Sequence, residues 1–331
     1  FPFLEYSGLE HIIKRVKLTD KFLLWVKEFN PDVIYIQPSS RANLKFCDLV
    51  SKNFKVPVIL HMMDDWPSSA ADRGFFNKYW QKTIDAELKE LIGHCSVLMS
   101  ISQSMATEYY RRYGEKFIVF HNPINIPFWS RFQKINYSLP ESPTFLYAGR
   151  TGLGIQTSLE TIAKAIECIN SKSSMSIKLV LSTDEDQPWA RNYSCVELRS
   201  YTSYDLVPKT FSEADFLVLP YDFSAKSIKF IKYSMPTKCP EYMISGTPIL
   251  LFAPPETEIV RYCQLNLCAK IVTENNEKKI IEAIESLLNN KTERELIAGN
   301  AKRAAKEHHD AINVTEAFRN VINSLLVDST L

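Results

Sequence analysis

Glycine is scarce in this sequence, with nine in 331 residues, so any local cluster of glycines stands out. No apolar run approaches the roughly 20 residues of a membrane-spanning helix, which leaves a soluble or peripheral chain. No charge sign dominates. The 39 basic and 38 acidic side chains argue against wholesale binding of nucleic acid. The 45% apolar fraction excludes intrinsic disorder. There is no CxxC and no metal-like pairing of cysteine with histidine; seven cysteines, an odd number, read as reduced thiols in a cytosol rather than a disulfide framework. The expected location is cytoplasmic, with peripheral contact at the inner face of the membrane as a further expectation. The start, Phe1-Pro2-Phe3, has neither a methionine nor the regions of a signal peptide and reads as a fragment.

What is present is a chain long enough for about two domains of roughly 150 residues each. Short apolar, β-branched runs alternate with stretches of helical periodicity, the pattern of a parallel α/β sheet. The expected strands of the first half are Val33–Gln37, Val56–Met62, Ser96–Ser100 and Phe117–His121. Those of the second are Thr144–Ala148, Ile177–Ser182, Cys195–Leu198, Phe216–Leu219, Ile249–Phe252 and Lys270–Val272. Helical patterns at 277–290, 292–308 and 314–326 close the chain. Between Asn122 and Pro143 lies a polar, proline-containing stretch without periodicity, where a domain boundary is expected. Two Rossmann-like domains in tandem are the simplest architecture.

Residues 1–139 carry 18 basic and 14 acidic side chains, a net of +4 that leaves −3 for the remainder. Part of the excess lies at His11, Lys14, Arg15, Lys17 and Lys21, interleaved with Ile12, Ile13, Leu18, Phe22 and Leu23. Such a basic amphipathic segment suits either an anionic membrane surface or an ordinary surface helix packed on the core.

In open α/β sheets, ligands bind beyond the carboxyl ends of the strands, where helix N-termini present unpaired N–H groups. After Thr144–Ala148 comes Gly149-Arg150-Thr151-Gly152-Leu153-Gly154, three of the nine glycines within six residues. Gly149 and Gly152 let backbone N–H groups approach a phosphate closely, and Arg150 adds a forked cation; a plain tight turn would look similar. The next helix is expected to be capped by Thr157 or Ser158. A second loop follows Phe216–Leu219, and Ser234 or Pro236 opens a helix ending at Gly246. Lys238 near that N-terminus suits an anion and Glu241 a ribose diol; two solvated charges would also fit.

The run Pro236-Thr-Lys-Cys-Pro-Glu-Tyr-Met-Ile-Ser-Gly-Thr-Pro-Ile-Leu resembles the donor-nucleotide motif of GT-B glycosyltransferases, particularly the retaining family 4 group (glycosyl transferases group 1). Further pieces resemble that family in its own order: Phe29-Asn-Pro-Asp-Val-Ile, Leu60-His-Met-Met-Asp-Asp-Trp-Pro, Ser100-Ile-Ser-Gln-Ser-Met, His121-Asn-Pro-Ile-Asn and Phe145-Leu-Tyr-Ala-Gly-Arg. The resemblance implies an α/β fold of two Rossmann-like domains facing across a cleft: an acceptor-side domain over 1–135, lacking its opening strand and glycine-rich loop, and a donor domain over 136–310. The last segment, 311–331, is expected to be a helix packing back on the N-terminal domain.

The same resemblance implies transfer of a sugar from a nucleotide-diphosphate sugar to a hydroxyl of a saccharide or lipid-linked acceptor, with retention, in polysaccharide or glycolipid assembly. It assigns Glu241 to the ribose hydroxyls and Arg150 to the diphosphate. Backbone from Ser234 to Thr237, with Lys238, would help hold the phosphates. His61 would face the reacting sugar or acceptor. No covalently bound cofactor and no metal is implied. Two positions depart from the family: Tyr233 stands where a second glutamate is usual, and the lysine expected after the Gly-Arg loop is missing near Ile155 and Gln156. A non-catalytic binding module on the same fold, or a sugar-nucleotide epimerase, would account for the same motifs.

Asp64 and Asp65, beside His61, are acceptor-side candidates, although neighbours on an extended segment point to opposite sides and N-capping the next helix is an equal use. Asp184-Glu185-Asp186 mimics a metal-binding DxD but reads as a solvated acidic turn. His308-His309 suit a helix C-terminus, and Cys239 a packed thiol.

Overall fold

The computed structural model describes residues 13, 16–70, 75–152 and 154–328. His11, Ile12, Lys14 and Arg15 of the basic segment lie outside the described residues, as does Leu153. Lys17 and Leu18 are not helical: helix α1, Asp20–Phe29, begins only after Thr19, whose hydroxyl accepts the Phe22 N–H at 3.2 Å. The described chain divides into two compact units. The first runs up to His121 and includes Lys229–Ser234 and the residues from Thr315; the second holds Asn122–Ile228 and Met235–Val314.

In the first unit, strands β1 (Ile34–Ile36), β2 (Val58–Met62), β3 (Val97–Ser100) and β4 (Ile118–Val119) form a parallel sheet in that order. Between them run α2 (Arg41–Asn53), α3 (Trp66–Ser69), α4 (Asn77–Ile92) and α5 (Gln103–Tyr113). Every residue of β2 is buried, as expected of a strand covered by helices on both faces.

In the second unit, α6 (Ile126–Trp129) precedes β5 (Thr144–Ala148), α7 (Gln156–Lys172), β6 (Lys178–Ser182), β7 (Val196–Arg199), α8 (Val207–Glu213) and β8 (Phe216–Pro220). After α9 (Ala225–Ile231), whose last three residues belong to the first unit, come α10 (Lys238–Ser245), β9 (Ile249–Phe252), α11 (Glu258–Asn266), β10 (Lys270–Val272), α12 (Glu277–Asn289) and α13 (Lys291–His309); α14 (Ala311–Asp328) belongs to the first unit from Thr315 onward. The six strands are parallel in the order β10-β9-β8-β5-β6-β7, which puts β5 and β8 at the centre. Their fully buried Phe145 and Phe216 stack with centroids 4.4 Å apart. The Leu159, Ile162, Ala163, Ile166 and Ile169 stripe of α7 packs in the same core, at the helical spacing that places one face on a sheet.

All the expected strands form, each within two residues of its predicted ends. The α10 boundary differs: neither Ser234 nor Pro236 opens the helix, which starts at Lys238 and stops at Gly246, in the left-handed region at φ 75°. The α7 cap differs too. The helix starts at Gln156, and the Ser158 N–H is taken by the distant carboxylate of Asp222 at 2.8 Å, so neither Thr157 nor Ser158 acts as cap.

Along α14, Phe318 lies edge-on to both Tyr35 and Phe120, each 5.6 Å away between centroids, which fixes the end of the chain on the first unit. Among the described residues no helix is long and apolar enough to cross a membrane. All seven cysteines are free.

Candidate functional site

The second unit brings Gly149, Arg150, Gly152, Thr237, Lys238 and Glu241 to the carboxyl end of β5 and the start of α10. Gly149 has φ 144°, a conformation that side chains other than glycine rarely adopt. A Cβ there would overlap Nζ of Lys238 and lie 2.7 Å from its Cε, so the missing side chain is the space the lysine occupies. Lys238 Nζ donates to the Tyr147 hydroxyl at 3.1 Å and sits 4.3 Å from that ring's centroid. The same hydroxyl donates to the carbonyl of Arg150. Tyr147, on the last turn of strand before the glycine loop, therefore links the helix-borne cation to the loop backbone.

Burial holds the Lys238 ammonium down to about 8, with Glu241 opposing that effect and Arg150 adding to it. Burial likewise pushes the Glu241 carboxyl up to about 7, against the pull of Lys238. Two adjacent groups thus titrate near neutrality, a property common where side chains handle charge for a ligand. No side chain caps the α10 N-terminus, at Thr237, which leaves its positive dipole end beside Lys238.

The loop after β5 has a further partner that local sequence reasoning missed. Glu185 Oε2 accepts both the backbone N–H and the hydroxyl of Thr151, at 2.6 and 2.7 Å. The expected solvated acidic turn is therefore only partly solvated: Asp184 and Asp186 are exposed, and Glu185 braces the glycine loop. Among the described residues no group of three or more His, Cys, Asp or Glu could hold a metal ion.

The other candidates lie in the first unit. His61 is buried on β2, its Nδ1 2.7 Å from the Tyr35 hydroxyl, which in turn accepts from Gln37 Nε2 at 2.6 Å. Burial pulls the imidazole down to about 4, so it is neutral at physiological pH. Among the described residues, His61 Nε2 is the one buried side-chain nitrogen or oxygen without a hydrogen-bond partner. Asp64 accepts from the Ser234 hydroxyl at 2.9 Å. Surrounding protein pushes the Asp64 carboxyl up and that hydrogen bond holds it down. Ser234 thus falls with Asp64 in the first unit, and Thr237 and Lys238 fall in the second.

Asp65 is 1% exposed and fully engaged: both oxygens accept from Arg112, at 3.0 and 2.9 Å, with Tyr109 and Ser68 hydroxyls completing the set. It stands at the N-cap of α3 but makes no side-chain capping bond. The Tyr233 carbonyl accepts from Ser102 at 2.6 Å, and its ring centroid is 5.7 Å from the Arg112 guanidinium and 5.2 Å from the Lys232 ammonium. His308 and His309 both bond Tyr262, at 2.9 and 3.1 Å, and His309 also reaches the Asn122 carbonyl at 2.9 Å, which pins the end of α13.

Residues 142–290, which hold the whole glycine loop and α10, match the family model of glycosyl transferases group 1. The chain carries a glycosyl transferases group 1 domain. Its fold is GT-B, shared with solved structures over most of the chain. Sucrose-phosphate synthase from Thermosynechococcus elongatus superposes with a TM-score of 0.71 at 13% identity, covering 93% of this chain and 77% of that one. HepE of Anabaena, in complex with UDP, gives 0.67 at 14% identity, covering 92% and 82%. A glycosyltransferase from Rickettsia africae gives 0.64 at 12%, covering 98% and 82%. At these identities the likeness is one of fold. No curated protein matches the chain by sequence.

Proposed function

We propose that this chain transfers a sugar from a nucleotide-diphosphate sugar to an acceptor hydroxyl, with retention at the anomeric carbon. The observation that carries the reading is the Lys238 ammonium lodged in the space left by Gly149 and bonded to Tyr147, beside Arg150 and Glu241, inside the glycosyl transferases group 1 domain. Lys238 and Arg150 neutralise the diphosphate as it leaves, so that positive charge can develop at the anomeric carbon. Lys238 supplies the cation that the family places after its Gly-Arg loop. Glu241 receives the ribose hydroxyls. From the first unit, the neutral His61 offers its unpartnered Nε2 to the acceptor or the reacting sugar.

Attack from the face the leaving group vacates needs no protein nucleophile, and the charge is met by side chains rather than a metal. The acceptor belongs to polysaccharide or glycolipid assembly, with peripheral contact at the inner face of the membrane. HepE binds UDP, which makes UDP-sugars the first donors to test.

The test is incubation of the purified chain with UDP-, GDP- and ADP-sugars, with and without saccharide and lipid-linked acceptors, with and without a chelator. Acceptor-dependent release of nucleoside diphosphate, unchanged by the chelator, is expected. Binding without release would overturn the reading in favour of a non-catalytic module, and isomerised donor in favour of an epimerase.

A further inference from the structure

Thr151 is fully buried, and its hydroxyl receives the Gln187 amide, which is itself fixed through Trp189 Nε1 at 2.8 Å to Gln187 Oε1. A hydroxyl has one proton, so with Gln187 donating to it, Thr151 must donate onward, and it does so to Glu185. The hydroxyl and the backbone N–H of Thr151 thus converge on a single carboxylate oxygen. This is the donor geometry an anion requires, and the chain's own carboxylate fills it. These bonds, led by the Thr151 N–H, hold Glu185 below the usual carboxylate range.

A second anion-accepting position at the same strand-helix junction, the Ser158 N–H, is filled by Asp222. The two carboxylates differ in one respect. Asp222 is buried, whereas Glu185 is exposed and can leave to solvent without a desolvation penalty.

We propose that Glu185 is a selectivity residue: it serves as an internal counter-anion on Thr151 that an incoming diphosphate displaces, so that the loop favours nucleoside diphosphates over monophosphates. This rests on the donor-binding reading above. Displacing a carboxylate forfeits two charge-assisted hydrogen bonds. A ligand with two linked phosphates can restore them with one phosphate while the other meets Arg150 and Lys238; a monophosphate cannot do both.

The experiment is titration calorimetry of the full chain with UDP and with UMP, for wild type, Arg150→Ala, Glu185→Gln and Glu185→Ala. Glutamine keeps a neutral acceptor for Thr151, so that variant preserves the loop. In both Glu185 variants UMP is expected to bind about tenfold more tightly, and the preference for UDP to shrink. If wild type binds UDP in an Arg150-dependent manner but neither Glu185 variant binds UMP more tightly, the inference fails and the donor reading stands. If no form of the chain binds UDP, both fall.

Discussion

Lys238 occupies the volume that a side chain at position 149 would take, so the glycine and the lysine are one structural choice made at two places in the chain. At φ 144°, alanine is strained whatever the space around it. Gly149→Ala is expected to lower stability by about 1–3 kcal/mol and to displace the ammonium from Tyr147. Thermal unfolding checks the first effect and UDP titration the second: affinity should fall further than the loss of folded protein explains.

Tyr147→Phe keeps the ring beneath Lys238 and removes the hydroxyl that joins it to the Arg150 carbonyl. One lost hydrogen bond costs about 1 kcal/mol of stability. Affinity for UDP should drop about fivefold, because both the cation and the loop lose their common anchor. Calorimetric titration of wild type and variant measures the difference.

Nucleotide affinity should depend on pH through Lys238. Its ammonium, held down to about 8, is the form that attracts a diphosphate. Affinity for UDP is therefore expected to fall on the order of tenfold between pH 7 and pH 9, and the fall should be smaller in Lys238→Met, where only the ionisation of Glu241 remains. The linkage for folding has the opposite sign. Above pH 8 the folded chain sheds a proton that the unfolded chain keeps, so stability without ligand rises with pH in that window. Chemical denaturation at a series of pH values reads this out.

Asp65 tests how much of the first unit's acidic pair is structural. Asp65→Ala removes two of the bonds of Arg112, which keeps Glu108 at 2.7 Å, and leaves the Tyr109 and Ser68 hydroxyls without their acceptor, so it should cost about 2–3 kcal/mol. Asp64, with a single hydroxyl partner, is free of that constraint. Replacing it by alanine should leave the melting temperature nearly unchanged.

The contrast between what the sequence reveals and what it hides follows chain distance. Strands such as Ile249–Phe252, and Val58–Met62 with His61 as its one interruption, were readable because burial on both faces demands apolar runs. Arg150, Lys238 and Glu241 stand out as candidates because glycine clustering and motif wording mark them locally. Tyr147 looked like one more apolar strand residue, and its link to Lys238 spans 91 positions. Glu185 and Asp222 reach Thr151 and Ser158 across 34 and 64 positions, so no local pattern announces that carboxylates fill an amide of the glycine loop and one in the first turn of α7. The same limit explains Ser234, which looks like a helix opener in sequence but hydrogen-bonds Asp64, 170 positions away.

Everything proposed for catalysis rests on Lys238 and Arg150 neutralising a departing diphosphate. The most direct measurement is acceptor-dependent nucleotide release by Lys238→Ala and Arg150→Ala at saturating donor, alongside wild type. Each variant is expected to fold and to lose on the order of 100-fold in turnover. Turnover equal to wild type in both would contradict it.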